Sequence, residues 1–194
     1  KYYLGSVLAN TGNFLGMNRL TPDFENASLL ERVFMHFNMD YLSVPSDGGA
    51  RFFPAQKEIY DSLSRPYFSY SAPTSMGKSF MMRAFIKQQI MEGTKKNFAL
   101  LIPTKALINE VTSELIESLT TLLKETDYRI VTSSGSMALE TKHNYIFVLT
   151  PERMLYILID DPDLMIDYLF VDEAHKISSG DKRSAFYYKV INKL

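Results

Sequence analysis

The chain has 194 residues, 46% of them hydrophobic and 22% charged, with a formal net charge of -1. This ordinary globular balance leaves room for one sizeable core and an appendage, and it excludes a dedicated, visibly basic nucleic-acid-binding module without excluding local phosphate contacts. With no cysteine, no secretory leader pattern and no apolar run near the roughly 18–20 residues that span a membrane, thiolate chemistry, disulfides and a membrane partner are not expected, and a soluble cytoplasmic protein is.

Residues 1 to about 45 read as a helical accessory segment. Leu4, Val7 and Leu8 share a face at helical spacing, as do Leu29, Val33, Phe34 and Phe37, and Thr21-Pro22-Asp23 supplies a turn between them. Ser46-Asp47-Gly48-Gly49 reads as a break and a linker. Beyond it, short apolar runs alternate with longer helical patterns. Phe68–Ala72 is a strand candidate, Ser79–Glu92 a helix closed by Gly93, Phe98–Ile102 a buried strand, and Ala106–Leu123 a long amphipathic helix. Tyr128–Thr132 and Tyr145–Leu149 are strands, Pro151–Ile159 a helix with proline in its first turn, and Tyr168–Val171 a strand that runs into acids. The alternation predicts an α/β fold with a central parallel sheet flanked by helices. Ligands of such sheets bind beyond the carboxyl ends of the strands, where each motif below lies. The chain has no initial Met and reaches Leu194 inside a helical pattern, so it reads as a piece of something longer.

Ala72-Pro73-Thr74-Ser75-Met76-Gly77-Lys78-Ser79 follows a strand candidate and opens a helix. A loop wrapped around polyphosphate needs inward backbone N–H groups, and the next helix adds its unpaired first-turn donors and partial positive charge. Gly77 lets the backbone approach where a Cβ would collide. Lys78 offers a mobile cation for the outer phosphates, and the Ser79 hydroxyl can ligate Mg2+. The general pattern begins with glycine, where this chain has Ala72. Further on, the apolar run Tyr168–Val171 ends at Asp172-Glu173-Ala174-His175. Asp172 at the strand tip can hold Mg2+ directly or through water. Glu173 can orient or deprotonate an attacking water, and His175 can link the site to neighbouring segments. A lone Asp-Glu pair after a strand is usually a solvated turn; the phosphate-loop pattern upstream gives this one a chemical partner.

Together these segments resemble the superfamily 2 DEAD/DEAH-box helicases, specifically their first RecA-like, ATP-binding domain. Ala72–Ser79 is similar to motif I of that family, in which alanine is usual at the first position, and Asp172–His175 to motif II. Ile102-Pro103-Thr104-Lys105-Ala106-Leu107 resembles motif Ia, and Leu149-Thr150-Pro151-Glu152-Arg153 resembles motif Ib. The resemblance implies ATP and Mg2+ as cofactors and single-stranded or duplex DNA or RNA as partner. The strand's phosphates would meet Pro103, Thr104 and Lys105 on one side and Thr150, Pro151, Glu152 and Arg153 on the other. Phe52-Phe53-Pro54-Ala55-Gln56 resembles the upstream glutamine motif, which implies that Gln56 reads the adenine edge and Phe53 stacks nearby.

The resemblance covers about residues 50 to 194 and implies a first RecA-like domain over residues 46–194, truncated before the family's later motifs. A second RecA-like domain of the same full-length chain would complete the ATP site with an arginine finger; Arg183 is the sole arginine after His175. The isolated piece is expected to be essentially inactive. The alternative is a helicase-like scaffold or remodelling ATPase that binds nucleotide without unwinding. A nucleotide kinase sharing the phosphate loop would need an acceptor-binding lid, and no segment reads as one.

Overall fold

A computed structural model describes residues 7–8, 11, 28–72, 76–134, 139–140, 142–178 and 182–194. The chain divides into two compact units, Lys1–Gln88 and Gln89–Leu194.

In the first unit, Ser28 caps helix α1 (Leu29–Tyr41) through a reciprocal pair of bonds. The Glu31 N–H donates to Ser28 Oγ at 3.3 Å, and the Ser28 N–H donates to Glu31 Oε2 at 2.8 Å. The apolar stripe read from the sequence is largely solvent-exposed: Leu29 is 71% exposed and Phe37 68%, while Met35 is buried. Periodicity identifies a face but not what meets it. The linker expected at Ser46–Gly49 is instead part of a hairpin, in which β1 (Ser43–Val44) pairs antiparallel with β2 (Asp47–Arg51). Asp47 Oδ1 accepts the Gly49 N–H at 3.1 Å, and the buried Ser46 hydroxyl donates to the Ala84 carbonyl at 3.2 Å. Helix α2 (Pro54–Ser62) follows, with Pro54 in its first turn. Phe52 packs tilted against Tyr60 and edge-on against Phe80, at centroid distances of 4.7 and 5.8 Å, and is buried. Helix α3 (Lys78–Met91) begins in this unit. Phe68–Ala72 forms no strand. The segment is irregular, Tyr67 beside it is 97% exposed, and the Phe68 and Tyr70 rings stack on each other at 5.7 Å.

The second unit is built on β3 (Phe98–Leu101), β4 (Tyr128–Val131), β5 (Asn144–Leu149) and β6 (Tyr168–Val171). They form one sheet in the order β4-β5-β3-β6, parallel throughout. Strands of a parallel sheet covered on both faces lose the polar alternation of half-exposed ones. Accordingly β3 is buried at all four positions, and β5 at every position after Asn144. One face, carrying Ala99, Leu101, Tyr145, Phe147 and Leu149, packs on Met154, Leu155 and Leu158 of α5 (Pro151–Asp160) and Tyr187 and Val190 of α6 (Ser184–Ile191). Helix α4 (Lys105–Glu125) contacts β4 and β5 and buries Ile108, Val111, Leu115 and Leu119. Alternation along the strands turns Phe98, Leu100, Ile146 and Val148 away from the α5–α6 face, so helices cover both sides, as expected. Gly93 ends α3 at φ 72°, a conformation that disfavours any side chain. Helix α6 closes at Ile191, short of Leu194. Among the described residues, no helix is long and apolar enough to cross a membrane.

Candidate functional site

Pro73, Thr74 and Ser75 lie outside the described residues; Ala72 and Met76 through Ser79 lie within them. Gly77 adopts φ 71°, and a Cβ there would sit 3.0 Å from Gln56 Nε2. Glycine is therefore required twice over, by the left-handed backbone and by the amide behind it. Gln56 is 6% exposed. Its Oε1 accepts the Phe53 N–H at 2.8 Å, and its Nε2 donates to the Met76 carbonyl at 2.8 Å. The amide thus holds the loop backbone from beneath, with one acceptor and one donor position left over for a purine edge. Phe53, the expected stacking residue, is 43% exposed. Lys78, the first residue of α3, donates from Nζ to the Ala72 carbonyl at 2.9 Å, while Ser79 is exposed.

In the second unit, three strands end at one level. Leu101 pairs with Leu149 on one side and with Val171 on the other. The ladder carries on past β6, where the Asp172 N–H donates to the Leu101 carbonyl at 3.1 Å. One oxygen of Asp172 accepts the Glu173 N–H at 2.9 Å. A second carboxylate oxygen suits a hard cation such as Mg2+. No group of three or more acid and histidine side chains stands together among the described residues, so Asp172 would hold such an ion together with phosphate or water oxygens. Glu173 adopts φ 52°, ψ 49°, the one non-glycine residue at positive φ among those described. Strained backbone of this kind costs of order 1 kcal/mol and gathers at functional sites. The Glu173 carboxylate pairs with Lys176, whose ammonium pKa that hydrogen bond raises. His175 lies exposed in the 3-10 turn Ala174–Ile177.

Both candidate phosphate-contacting segments are helix starts. Thr104 caps α4, with Oγ1 accepting the Leu107 N–H at 3.3 Å, and Lys105 is exposed beside it. Thr150 caps α5, with Oγ1 accepting the Arg153 N–H at 3.5 Å, but it is buried. Arg153 donates from Nη1 to the Thr132 carbonyl at 3.0 Å. Pro103 and Pro151 are buried, so their contribution is backbone shape. The Glu152 carboxylate faces a protein partner. Arg183 donates to it from Nε at 2.5 Å and from Nη2 at 3.0 Å, and donates from Nη1 to the Pro103 carbonyl at 2.7 Å.

Residues 53–194 match the family described as DEAD/DEAH box helicase. The chain belongs to that family. Among curated proteins it is similar to the probable ATP-dependent RNA helicase DDX52 of Mus musculus, 32% identical over 125 residues, which is 58% of this chain and 20% of that protein. The Bos taurus and Rattus norvegicus proteins of the same name are 32% and 31% identical with the same coverage. The chain thus spans about a fifth of the length of the curated relatives it matches. As in a RecA-like domain, the fold is a four-stranded parallel sheet flanked by helices.

The Arg183–Glu152 pair is the part of this helicase domain that motif reading missed. It joins residues 31 positions apart, and neither composition nor local spacing marks it. It has a measurable consequence. Hydrogen bonding to Arg183 holds the Glu152 carboxyl at about 2, against an ordinary 4.5. A depressed carboxyl stabilises the folded state above pH 4.5 and loses that contribution as the pH falls from 4.5 toward 2. The full displacement would represent roughly 3 kcal/mol; solvent reaches both groups, so about 1 kcal/mol is the expected share. Urea denaturation at pH 6 and pH 3 should show Glu152→Gln losing about 1 kcal/mol less between the two conditions than the parent chain does. Equal losses would show that the pair does not couple to folding.

Proposed function

We propose that this chain is the ATP-binding portion of an ATP-dependent motor on nucleic acid, of the Asp-Glu-Ala-His type, and that its polymer is RNA. One observation carries the reading: the end of β6, which delivers Asp172 and Glu173, lies level with the end of β3, which opens onto Thr104 and Lys105, and β5 opens onto Thr150 at the same level. Acid–base chemistry and two helix N-termini able to receive phosphate are thereby joined by one rigid sheet. In this reading Lys78 would meet the outer phosphates of ATP, the backbone of Ala72–Ser79 would wrap them, and Gln56 would meet adenine. Ser79 in the first unit and Asp172 in the second are each candidate Mg2+ ligands, Glu173 would position or deprotonate the water, and His175 would communicate with neighbouring segments. Mg2+ would neutralise charge developing on the phosphates. RNA is favoured over DNA by the similarity to proteins described as RNA helicases.

Phosphate release by the intact protein tests this, with no polymer, with single-stranded RNA and with single-stranded DNA. Turnover should rise several-fold with RNA and less with DNA. Rates indifferent to any polymer would favour a nucleotide-binding scaffold, and stimulation by DNA alone would overturn the assignment of RNA.

A further inference from the structure

Arg183 lies outside every motif, yet its guanidinium makes three hydrogen bonds beside the starts of α4 and α5. Its guanidinium grips both oxygens of Glu152, in the first turn of α5, and with its third arm holds the Pro103 carbonyl just before α4. Planar forks of this kind fix geometry as well as energy. Two consequences follow for a strand of phosphates. First, the polymer presents its phosphates at a regular repeat, so two helix starts can engage it together only at one separation, and Arg183 adds a side-chain clamp to the spacing that the β3–β5 pairing gives them. Second, a bare carboxylate in the first turn of α5 would repel the polymer from the N–H groups that attract it. With a net charge of -1 the chain offers no general attraction to offset that repulsion.

We propose that Arg183 is a positioning residue for nucleic-acid binding, which locks the first turn of α5 to the approach to α4 and cancels the charge of Glu152 beneath the phosphates. This rests on the phosphate-contact reading of those helix starts. It gives Glu152 a role different from the one its motif implies: the carboxylate is an internal anchor rather than a polymer contact.

The test uses RNA-stimulated ATPase kinetics of the intact protein. Arg183→Gln should raise the half-saturating RNA concentration by roughly 2- to 30-fold, the range for network positions that do not touch ligand. Its kcat at saturating RNA and its KM for ATP should stay within about twofold, since no group in contact with nucleotide has changed. Adding Glu152→Gln to Arg183→Gln should recover part of the loss, because the uncovered carboxylate is gone. Should Arg183→Gln fold poorly, Arg183→Lys retains the charge but not the fork and should show a smaller rise in the same direction. Lys105→Ala serves as the control for the underlying reading. A rise in half-saturating RNA with Lys105→Ala, but with neither Arg183 variant, would overturn the proposal and leave the phosphate contacts standing. No effect from any of them would remove both. A kcat and both KM values that move together, unrelieved by Glu152→Gln, would make Arg183 a structural residue only.

Discussion

Lys78→Ala is expected to lower ATP turnover of the intact protein at least about 10²-fold, the loss typical when one preorganised electrostatic group is removed from a phosphoryl-transfer site. Lys78 opens α3, and its ammonium rests on the Ala72 carbonyl at 2.9 Å, on the same loop that would wrap the phosphates. Nucleotide would exchange that neutral oxygen for charged ones, a better partner for an ammonium. The alanine variant should fold, because Lys78 is not in the core and alanine favours a helix. Loss of turnover with an unchanged melting temperature and weakened nucleotide binding is the expected result. Near-normal phosphate release would remove Ala72–Ser79 from the ATP site.

Glu173→Gln should leave ATP bound and reduce hydrolysis by about 10²- to 10⁴-fold, the usual contribution of a general base. The substitution isolates chemistry from structure here. Glutamine keeps the length of glutamate and meets the same left-handed backbone at φ 52°, so the strain at the strand end is unchanged. The pairing with Lys176 loses its charge, yet a carbonyl oxygen remains to accept the ammonium. ATP-dependent retention of RNA should lengthen, because the state preceding hydrolysis persists. Single-turnover measurement of the bond-breaking step reads this directly. Normal single-turnover rates would assign the base to another group.

Much of the fold was legible because its signals are local. Phe98–Ile102 and Tyr145–Leu149 are apolar without interruption, as doubly covered strands must be, and Thr104 and Thr150 announce helix starts by capping chemistry. The acids at Asp172 and Glu173 could be placed at a strand tip for the same reason. What was not legible depended on partners distant in the chain. Phe68–Ala72 has strand-like composition, but composition alone does not place a segment in a sheet. Ser46–Gly49 has linker-like composition, yet its turn closes a hairpin whose Ser46 hydroxyl reaches Ala84. Gln56 reads as an adenine contact, and its amide also holds the Met76 carbonyl twenty positions away. Glu152 reads as a polymer contact from its contiguous motif, and its carboxylate also bonds Arg183, 31 positions away.

The shared register of Leu101 with Leu149 and Val171 determines which changes this domain can absorb. Inserting or deleting one residue within β3 would slide its end by about 3.3 Å and turn every following side chain to the opposite face. Helix α4 would then begin at the wrong height against both neighbours at once. Length variation should therefore collect at the amino edge of the sheet, in the turns that enter the strands. The lengths of β3, β5 and β6 act as a gauge that keeps Asp172, Glu173 and the starts of α4 and α5 at a common height.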